Sequence, residues 1–265
     1  MSKTEILSII NQKGGVGKTT TSVNLVASLA AMKHRALLID LDSQGNATMG
    51  CGIDKTALEN SSCNLLLEEA SVAEVLINLS ELGFDLIPSN ADLTAAEVEL
   101  TRLEMRERRL AKALSGVRDN YEYIVIDCPP SLNMLTLNAL VAADGVLIPM
   151  QCEYYALEGL SALMDTLKKI RTTVNPGLRL EGLLRTMYDA RSRLTRDVSE
   201  QLMGYFKERV FRTFIPRNIR LAEAPSHGLP IIQYDKSSRG ALAYLALASE
   251  IVRKDNKASR LRVGI

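Results

Sequence analysis

The sequence has few residues of the kinds that hold metals through sulfur or imidazole, or that cross-link chains. Among its 265 residues are four cysteines and two histidines, and no two cysteines form a Cys-x-x-Cys pair. Zinc sites and disulfide frameworks need clusters of such residues at short spacings. The pattern therefore argues against both kinds of site, and it predicts buried, reduced thiols at Cys51, Cys63, Cys128 and Cys152.

Long apolar runs and domain linkers are also missing. No stretch reaches the roughly 18 apolar residues that a membrane-spanning helix needs, and the N-terminus lacks the layout of a signal peptide. We therefore expect a cytoplasmic protein without stable membrane association. No Gly/Pro/Ser-rich linker or repeat divides the chain. The sequence thus predicts a single domain over residues 1–252, followed by a basic and mobile tail over residues 253–265.

The net charge of +1 conceals an uneven distribution of charge. Residues 1–165 carry 12 Lys/Arg and 22 Asp/Glu, whereas residues 166–265 carry 20 and 9. A basic C-terminal part on an acidic body suggests a surface for a polyanion. Solvated helix faces can give the same imbalance by chance, so charge alone leaves both interpretations open.

Short apolar runs recur along the chain and are separated by segments of helical periodicity. Val, Ile and Leu fill these runs without polar alternation, which is typical of strands covered by helices on both faces. The sequence therefore predicts an α/β fold with three layers, in which helices flank a mostly parallel sheet. The predicted strands are Ile6–Ile10, Ala36–Ile39, Phe84–Ile87, Tyr123–Ile126, Gly145–Pro149 and Leu180–Leu184.

A phosphate-binding loop follows the first strand. The strand is followed by a Gly-rich turn and then by a helix that begins near Lys18. This succession is the context that such a loop requires. Glycines let backbone N–H groups face a phosphate, Lys18 would neutralise its oxygens, and the Thr19 hydroxyl is placed to bind Mg²⁺. The predicted phosphate-binding residues are Lys13, Gly14, Gly15, Val16, Gly17, Lys18, Thr19 and Thr20.

The loop deviates from the general GxxxxGK[ST] pattern, because Gln12 stands where the first glycine belongs and Lys13 adds a second cation. Read as KGGVGKTT, the loop resembles the deviant Walker A signature of the ParA/MinD branch of P-loop ATPases. The resemblance implies ATP and Mg²⁺ as cofactors. It also implies a catalytic role for Lys13, which in that family reaches across an ATP-bound homodimer to the other subunit's phosphates.

Aspartates follow two further predicted strands. Asp127 ends an apolar strand, where P-loop proteins place a carboxylate near Mg²⁺. Asp40 and Asp42 follow another strand, and their period-two spacing puts both on one side if that strand continues. The family resemblance implies that Asp42 orients the attacking water and that Asp40 supports the Mg²⁺ water shell, although a turn-capping role for Asp40 stays open. Ser43 stands where the family usually has proline.

Further segments resemble short chromosome- or plasmid-partitioning ATPases of the ParA/Soj type. They are Asp42–Thr48, Leu86–Asn90, Pro149–Gly159, Thr186–Arg191 and Ile215–Pro230. The resemblance implies adenine contacts by Pro216 and Asn218, although Asn218 could instead cap a turn. It implies nonspecific binding of double-stranded DNA by Arg191 and Arg220, although ordinary ion pairs are the alternative for both.

The resemblance also implies a cycle in which the protein binds and releases its partners. ATP closes a homodimer that coats DNA on the nucleoid, and a ParB-type centromere-binding protein stimulates hydrolysis and release. Few aromatic residues accompany the arginines of the basic C-terminal part, which argues against stacking on single strands. The alternatives are a MinD-like membrane-cycling ATPase and, more remotely, a metabolic enzyme on the same scaffold.

Overall fold

The computed structural model describes residues 4–154 and 156–263, and it describes side chains as far as residue 256. The strands within those residues are β1 (Glu5–Ile9), β2 (Ala36–Asp40), β3 (Ile77–Leu79), β4 (Phe84–Ile87), β5 (Tyr123–Asp127), β6 (Gly145–Gln151), β7 (Arg179–Tyr188) and β8 (Val210–Pro216). They form one sheet in the order β3-β4-β2-β5-β1-β6-β7-β8. Only the β3–β4 pair is antiparallel, so the predicted mostly parallel sheet is confirmed.

Helices cover both faces of this sheet. They are α1 (Lys18–Ala31), α2 (Asn46–Gly50), α3 (Ser62–Leu67), α4 (Val72–Val75), α5 (Leu93–Leu100), α6 (Arg109–Leu114), α7 (Met134–Ala142), α8 (Ala156–Thr173), α9 (Arg193–Phe206), α10 (Ile219–Glu223), α11 (Ile231–Tyr234) and α12 (Arg239–Val263). One apolar core lies under α3 to α9, and the other lies under α1, α2 and α10 to α12. The three-layer architecture is therefore as predicted.

The strands supply both cores through their alternating side chains. In β5, Ile124 and Ile126 belong to one core, whereas Tyr123 and Val125 belong to the other. Successive residues of a strand point to opposite faces. A strand that is buried on both sides must therefore be apolar throughout, which explains the uninterrupted apolar runs of the sequence.

The register of the central strands brings polar residues together at one edge of the sheet. In the parallel pairs β1–β5 and β2–β5, Asp127 is the register partner of both Ile9 and Asp40. The loop that follows β1 therefore begins beside Asp127, and the loop that follows β2 begins on its other side. This carboxyl edge of the sheet, where the parallel strands end, holds the candidate site.

Strand β8 lies at one edge of the sheet and is held there by polar contacts. Its pairing with β7 is irregular near Arg185. The buried guanidinium of Arg185 donates hydrogen bonds to the carbonyl oxygens of Phe211 and Arg212. Glu250 of α12 accepts hydrogen bonds from the backbone N–H groups of Arg212 and Thr213. The backbone groups freed by the irregularity thus find side-chain partners.

Helix α12 extends beyond the predicted domain boundary at residue 252. It continues to Val263, and Asp255 accepts a hydrogen bond from the Tyr123 hydroxyl at 3.0 Å. Lys254 lies over the ring of Phe211, 4.0 Å from its centroid. The predicted boundary at residue 252 therefore lies within a helix that continues through residues 253–263, and the division into domain and tail stays a prediction. The predicted mobility stays a prediction, and its last residues, 264–265, lie outside the described part.

Two other expectations concern thiols and membranes. The four cysteines are buried and free, as predicted. Among the described helices, none combines the length and apolarity needed to cross a membrane.

Candidate active site

The loop between β1 and α1 is built around backbone groups that face outward. Gly15 and Gly17 have φ values of 73° and 87°, which side chains with a Cβ atom rarely adopt. A Cβ atom at Gly14 or Gly15 would meet no atom within 4 Å, so the space in front of the loop is open. The Asn11 amide donates to the Pro149 carbonyl at 2.8 Å and fixes the start of the loop. The loop thus has the open backbone that a phosphate cradle requires, and phosphate binding by its residues stays a prediction.

Lys18 is the first residue of α1, and its side chain turns back under the loop. It is 7% exposed, and its Nζ lies 3.4 Å from the carbonyl oxygen of Lys13. Burial lowers the pKa of Lys18, while the carboxylates of Asp127 and Asp42 act in the opposite direction. A buried cation beside open backbone amides is suited to an anionic group with several oxygens.

Asp127 is fully buried at the end of β5 and is held by two hydroxyl groups of α1. Thr19 Oγ1 donates to one carboxylate oxygen and Ser22 Oγ to the other, each at 2.8 Å. Burial and the neighbouring Asp40 raise the pKa of Asp127 to about 8. The predicted pair of Thr19 and Asp127 is thus in direct contact at the start of the helix.

Asp40 and Asp42 lie in the turn that follows β2. Asp40 is fully buried and accepts hydrogen bonds from the backbone N–H groups of Asp42 and Thr48 and from Thr48 Oγ1. Burial raises its pKa to about 6. Asp42 caps the backbone N–H of Gln44 at 3.0 Å, and its own carbonyl accepts from Ser89 Oγ. Asp40 therefore makes turn-holding contacts, and its part in binding Mg²⁺ stays a prediction.

Lys13 lies at the outer end of the loop and contacts a residue of the same chain. Its Nζ is 2.5 Å from Glu153 Oε2, and the two side chains are 50% and 49% exposed. Glu153 follows β6, so this pair links two loops at the carboxyl edge of the sheet. In this arrangement the second cation of the loop is paired with a carboxylate of its own chain.

The residues predicted to contact adenine and DNA lie at the end of β8 or in the segments that follow β7 and β8. Pro216 ends β8 opposite Tyr188 of β7. Asn218 Oδ1 accepts from the backbone N–H of Leu221 and caps α10, which is the alternative that the sequence left open for it. The side-chain carbonyl oxygen has a second lone pair, so this capping bond leaves it able to accept a hydrogen bond from adenine. The contact with adenine stays a prediction.

The two predicted DNA-binding arginines are exposed and ion-paired. Arg191 binds Asp189 through two hydrogen bonds of 3.0 Å. Arg220 lies 3.0 Å from Glu223 and 3.7 Å from Asp235. Exposed pairs of this kind stabilise by about 0–1 kcal/mol, so a phosphate could replace the carboxylates at low cost. Binding of DNA by either arginine stays a prediction.

Several residues that shape the site were not singled out from the sequence. Thr186 Oγ1 of β7 donates to the Val16 carbonyl of the loop at 2.8 Å. Thr48 holds Asp40, and Glu153 holds Lys13. Thr186 and Glu153 are distant from their partners along the chain, and Thr48 lies in a different element from Asp40. The resemblance included the segments around all three, but it gave none of them a role.

The donors that converge here fit a nucleotide and a hard divalent cation. The Thr19 hydroxyl and the carboxylates of Asp40 and Asp127 are oxygen ligands of the kind that Mg²⁺ prefers. The open glycine amides and buried Lys18 suit phosphate oxygens. Thr19 and Asp127 are in direct contact, and Asp127 and Asp42 both lie close enough to affect the pKa of Lys18.

Comparison with known proteins gives concordant matches. A family model described as an AAA domain matches residues 4–180. The sporulation initiation inhibitor protein Soj of Bacillus subtilis is 53% identical over 93% of this chain and 98% of its own. The chromosome partitioning protein ParA of Myxococcus xanthus is 51% identical over 97% and 92%.

A solved structure also matches over most of the chain. It is described as cobyrinic acid a,c-diamide synthase from Mycobacterium smegmatis with a bound ATP analogue and magnesium. It is 36% identical, with a TM-score of 0.83 over 94% of this chain and 95% of its own.

Proposed function

The chain belongs to the Soj/ParA family of chromosome-partitioning ATPases, and on that premise we propose that it segregates DNA in a cycle driven by ATP hydrolysis. The observation that carries the proposal is the grouping of buried Lys18, Thr19 and Asp127 behind an open glycine loop that also bears Lys13. A phosphate-binding loop accounts for the positions of Lys18 and Thr19 at the start of α1. The exposed Lys13 needs a further explanation, which a second subunit supplies.

Each residue of the site has a separate task. ATP and Mg²⁺, when bound, supply the transferable phosphoryl group and the positive charge that stabilises its transfer. The loop amides and Lys18 would hold the phosphate oxygens, while Thr19 and Asp127 would hold the metal ion directly or through water. Asp42 orients the attacking water and accepts hydrogen bonds from it. The fixed turn around Asp40 keeps Asp42 in place.

Lys13 is proposed to act on the nucleotide of the other subunit. Its side chain is half exposed and is held only by a surface ion pair, so it can leave Glu153 at low cost. In an ATP-bound homodimer, two such loops would face each other and exchange lysines. A cation supplied by a second protein in this way stabilises the charge of phosphoryl transfer, and for arginine fingers the effect is about 10³- to 10⁵-fold in rate.

Mixing two inactive variants tests this exchange. Lys13→Gln and Asp42→Ala should each hydrolyse ATP poorly alone, because one lacks the exchanged cation and the other lacks the water-orienting carboxylate. In a mixed dimer, one of the two sites combines an intact Asp42 with an intact Lys13 from the other chain. Equal mixing should therefore restore about a quarter of wild-type turnover, since half of the dimers are mixed.

The outcome distinguishes a Lys13 that acts on the other subunit from one that acts within its own chain. If Lys13 acts within its own chain, every site of the mixed dimer lacks one of the two groups and no activity returns. The matched control is Lys33→Gln, an exposed lysine that follows α1, which should hydrolyse ATP as the wild type does. Co-purification through an affinity tag carried by one variant alone, with ATP present, verifies that mixed dimers form.

The DNA and protein partners are part of the same proposal. Arg191 and Arg220 bind the phosphates of double-stranded DNA without sequence preference, the dimer collects on the nucleoid, and a ParB-type protein stimulates hydrolysis. Arg220→Glu should abolish ATP-dependent retention on DNA and leave dimerisation intact; loss of both together would contradict a dedicated DNA surface. We propose no stable membrane association, and ATP-dependent pelleting with liposomes would contradict that.

A further inference from the structure

Thr186 lies near the carboxyl end of β7 and contacts the phosphate loop. Only 3% of this residue is exposed. Its hydroxyl donates a hydrogen bond to the carbonyl oxygen of Val16 at 2.8 Å. Its methyl carbon would lie 3.9 Å from a Cβ atom placed on Gly17. Both contacts are made with the peptide that joins Val16 to Gly17, so one residue of the sheet determines the surroundings of one peptide of the loop.

The orientation of this peptide decides which group the loop presents to a phosphate. The peptide is trans, so its C=O and N–H groups point in opposite directions. Since the Val16 carbonyl is directed at the Thr186 hydroxyl, the Gly17 N–H points away from that hydroxyl. Among the described residues, the Gly17 N–H has no hydrogen-bond acceptor. It is therefore free to donate to a ligand of the loop.

The backbone of the loop does not by itself fix this orientation. Rotating the peptide by about 180° changes mainly the φ angle of Gly17 and the ψ angle before it, and glycine adopts positive and negative φ about equally readily. In the rotated form, the Val16 carbonyl oxygen would meet phosphate oxygens, and neither group could donate a hydrogen bond. Within the described part of the chain, no other donor reaches that carbonyl. The Thr186 hydroxyl therefore favours the orientation that can bind phosphate.

The part of β7 that carries Thr186 is held on both sides. Thr186 is the register partner of Gln151 in β6. On the other side, the buried guanidinium of Arg185 binds two carbonyl oxygens of β8, and the Tyr188 carbonyl accepts from the backbone N–H of Arg217 at 3.3 Å. Threonine is branched at Cβ, so its χ1 torsion has few choices. The direction of the hydroxyl is therefore set by the fold and needs no ligand.

We propose that Thr186 is a positioning residue for the phosphate loop, because its hydroxyl holds the peptide between Val16 and Gly17 with the Gly17 N–H directed at a nucleotide phosphate. The inference rests on the proposed function in taking a nucleotide as the ligand of the loop. Thr186 acts through the Val16 carbonyl, whereas Lys18 and Thr19 would bind phosphate and metal themselves. By raising the fraction of free protein whose loop can bind, Thr186 strengthens nucleotide binding.

The test compares the affinities of full-length variants for ADP with Mg²⁺ by isothermal titration calorimetry, because ADP binds without being hydrolysed. Thr186→Val keeps the shape of the side chain and removes the hydroxyl, which leaves the buried Val16 carbonyl without a donor. We expect this variant to bind ADP about 5- to 100-fold more weakly. Thr186→Ser keeps the hydroxyl and loses the methyl group, so we expect an affinity within about 3-fold of the wild type.

The matched control is Thr4→Val, at the other end of β1 from the loop. Thr4 is also 3% exposed, and its hydroxyl lies 2.9 and 2.8 Å from the carbonyl oxygens of Arg118 and Tyr121. This variant likewise removes a buried hydroxyl that serves backbone carbonyls. It should lose stability and bind ADP as the wild type does.

The two variants of Thr186 separate positioning from packing. A residue that only fills space would tolerate valine and lose more affinity with serine. The proposal is overturned if Thr186→Val binds ADP within about 2-fold of the wild type, or if Thr186→Ser weakens binding as much as Thr186→Val.

Thermal unfolding midpoints show whether each variant folds. If Thr186→Val does not fold, nuclear magnetic resonance of the wild type decides. The Gly17 amide proton should move downfield when ADP binds, because it then donates to a charged oxygen, and an unchanged resonance overturns the proposal. Failure of the proposed function has a different signature, since the wild type would then hydrolyse no ATP, whatever the affinities of the variants for ADP.

Discussion

The ion pair between Lys13 and Glu153 should restrain the formation of the ATP-bound dimer. Both side chains are about half exposed, and pairs of this kind stabilise by about 0.2–1 kcal/mol. Each protomer must break its pair before Lys13 can reach the other subunit, so a dimer loses about 0.4–2 kcal/mol. Glu153→Gln removes the charge with little change of shape. We expect it to lower the dissociation constant of the ATP dimer about 2- to 30-fold.

Sedimentation equilibrium with ATP and Mg²⁺ measures this constant, in an Asp42→Ala background that prevents turnover. The control is Glu158→Gln, which changes the net charge equally at another exposed position and should have no effect. The reasoning is refuted if Glu153→Gln leaves the dimer unchanged or weakens it, because Glu153 would then not compete for Lys13. Equal strengthening by Glu158→Gln would attribute the effect to general charge.

Two further predictions concern stability. Thr48→Val removes a hydroxyl that donates to Asp40 and accepts from the backbone N–H of Ser89, so we expect a loss of about 2–4 kcal/mol in urea unfolding; a loss below 1 kcal/mol would contradict the role of this turn. Burial raises the pKa of Glu5 to about 8, above the ordinary value near 4.3, so the folded protein binds the extra proton and stability should fall as pH rises from about 5 to 8. Asp127 and Asp40 act in the same direction, because burial also raises their pKa, to about 8 and about 6. Glu5→Gln should therefore reduce the slope of the unfolding midpoint against pH without abolishing it, and a wild-type slope in the variant would show that the other groups cause it.

The sequence predicts the central strands well, because they are buried on both faces and consist of uninterrupted apolar residues. It missed β3 and β8. Strand β3 has only three residues. In β8, exposed Arg212 and Phe214 alternate with more buried neighbours, so the apolar run that identified the other strands is broken. An edge strand has a neighbouring strand on one side only, so some of its side chains are exposed and the simple apolar pattern is lost.

The candidate site was predicted where local spacing determines it. The loop from Lys13 to Thr20 needs only a strand, glycines and a helix in succession, and Asp127 needs only a strand end. The contact of Glu153 with Lys13 joins residues 140 positions apart, and no local pattern indicates it. The parallel register that sets Asp40 beside Asp127 depends likewise on the order of the strands in the sheet.

The capping of β8 by Glu250 limits how copies of this chain can associate. A sheet edge with unsatisfied backbone groups can recruit a strand from another molecule. Here two successive amides of the edge strand are already occupied by a carboxylate from α12, and the opposite edge offers only the three residues of β3. Growth of the sheet from molecule to molecule is therefore disfavoured. The dimer that we propose would form instead through the loops that carry Lys13 and Asp42, where the nucleotide would control it.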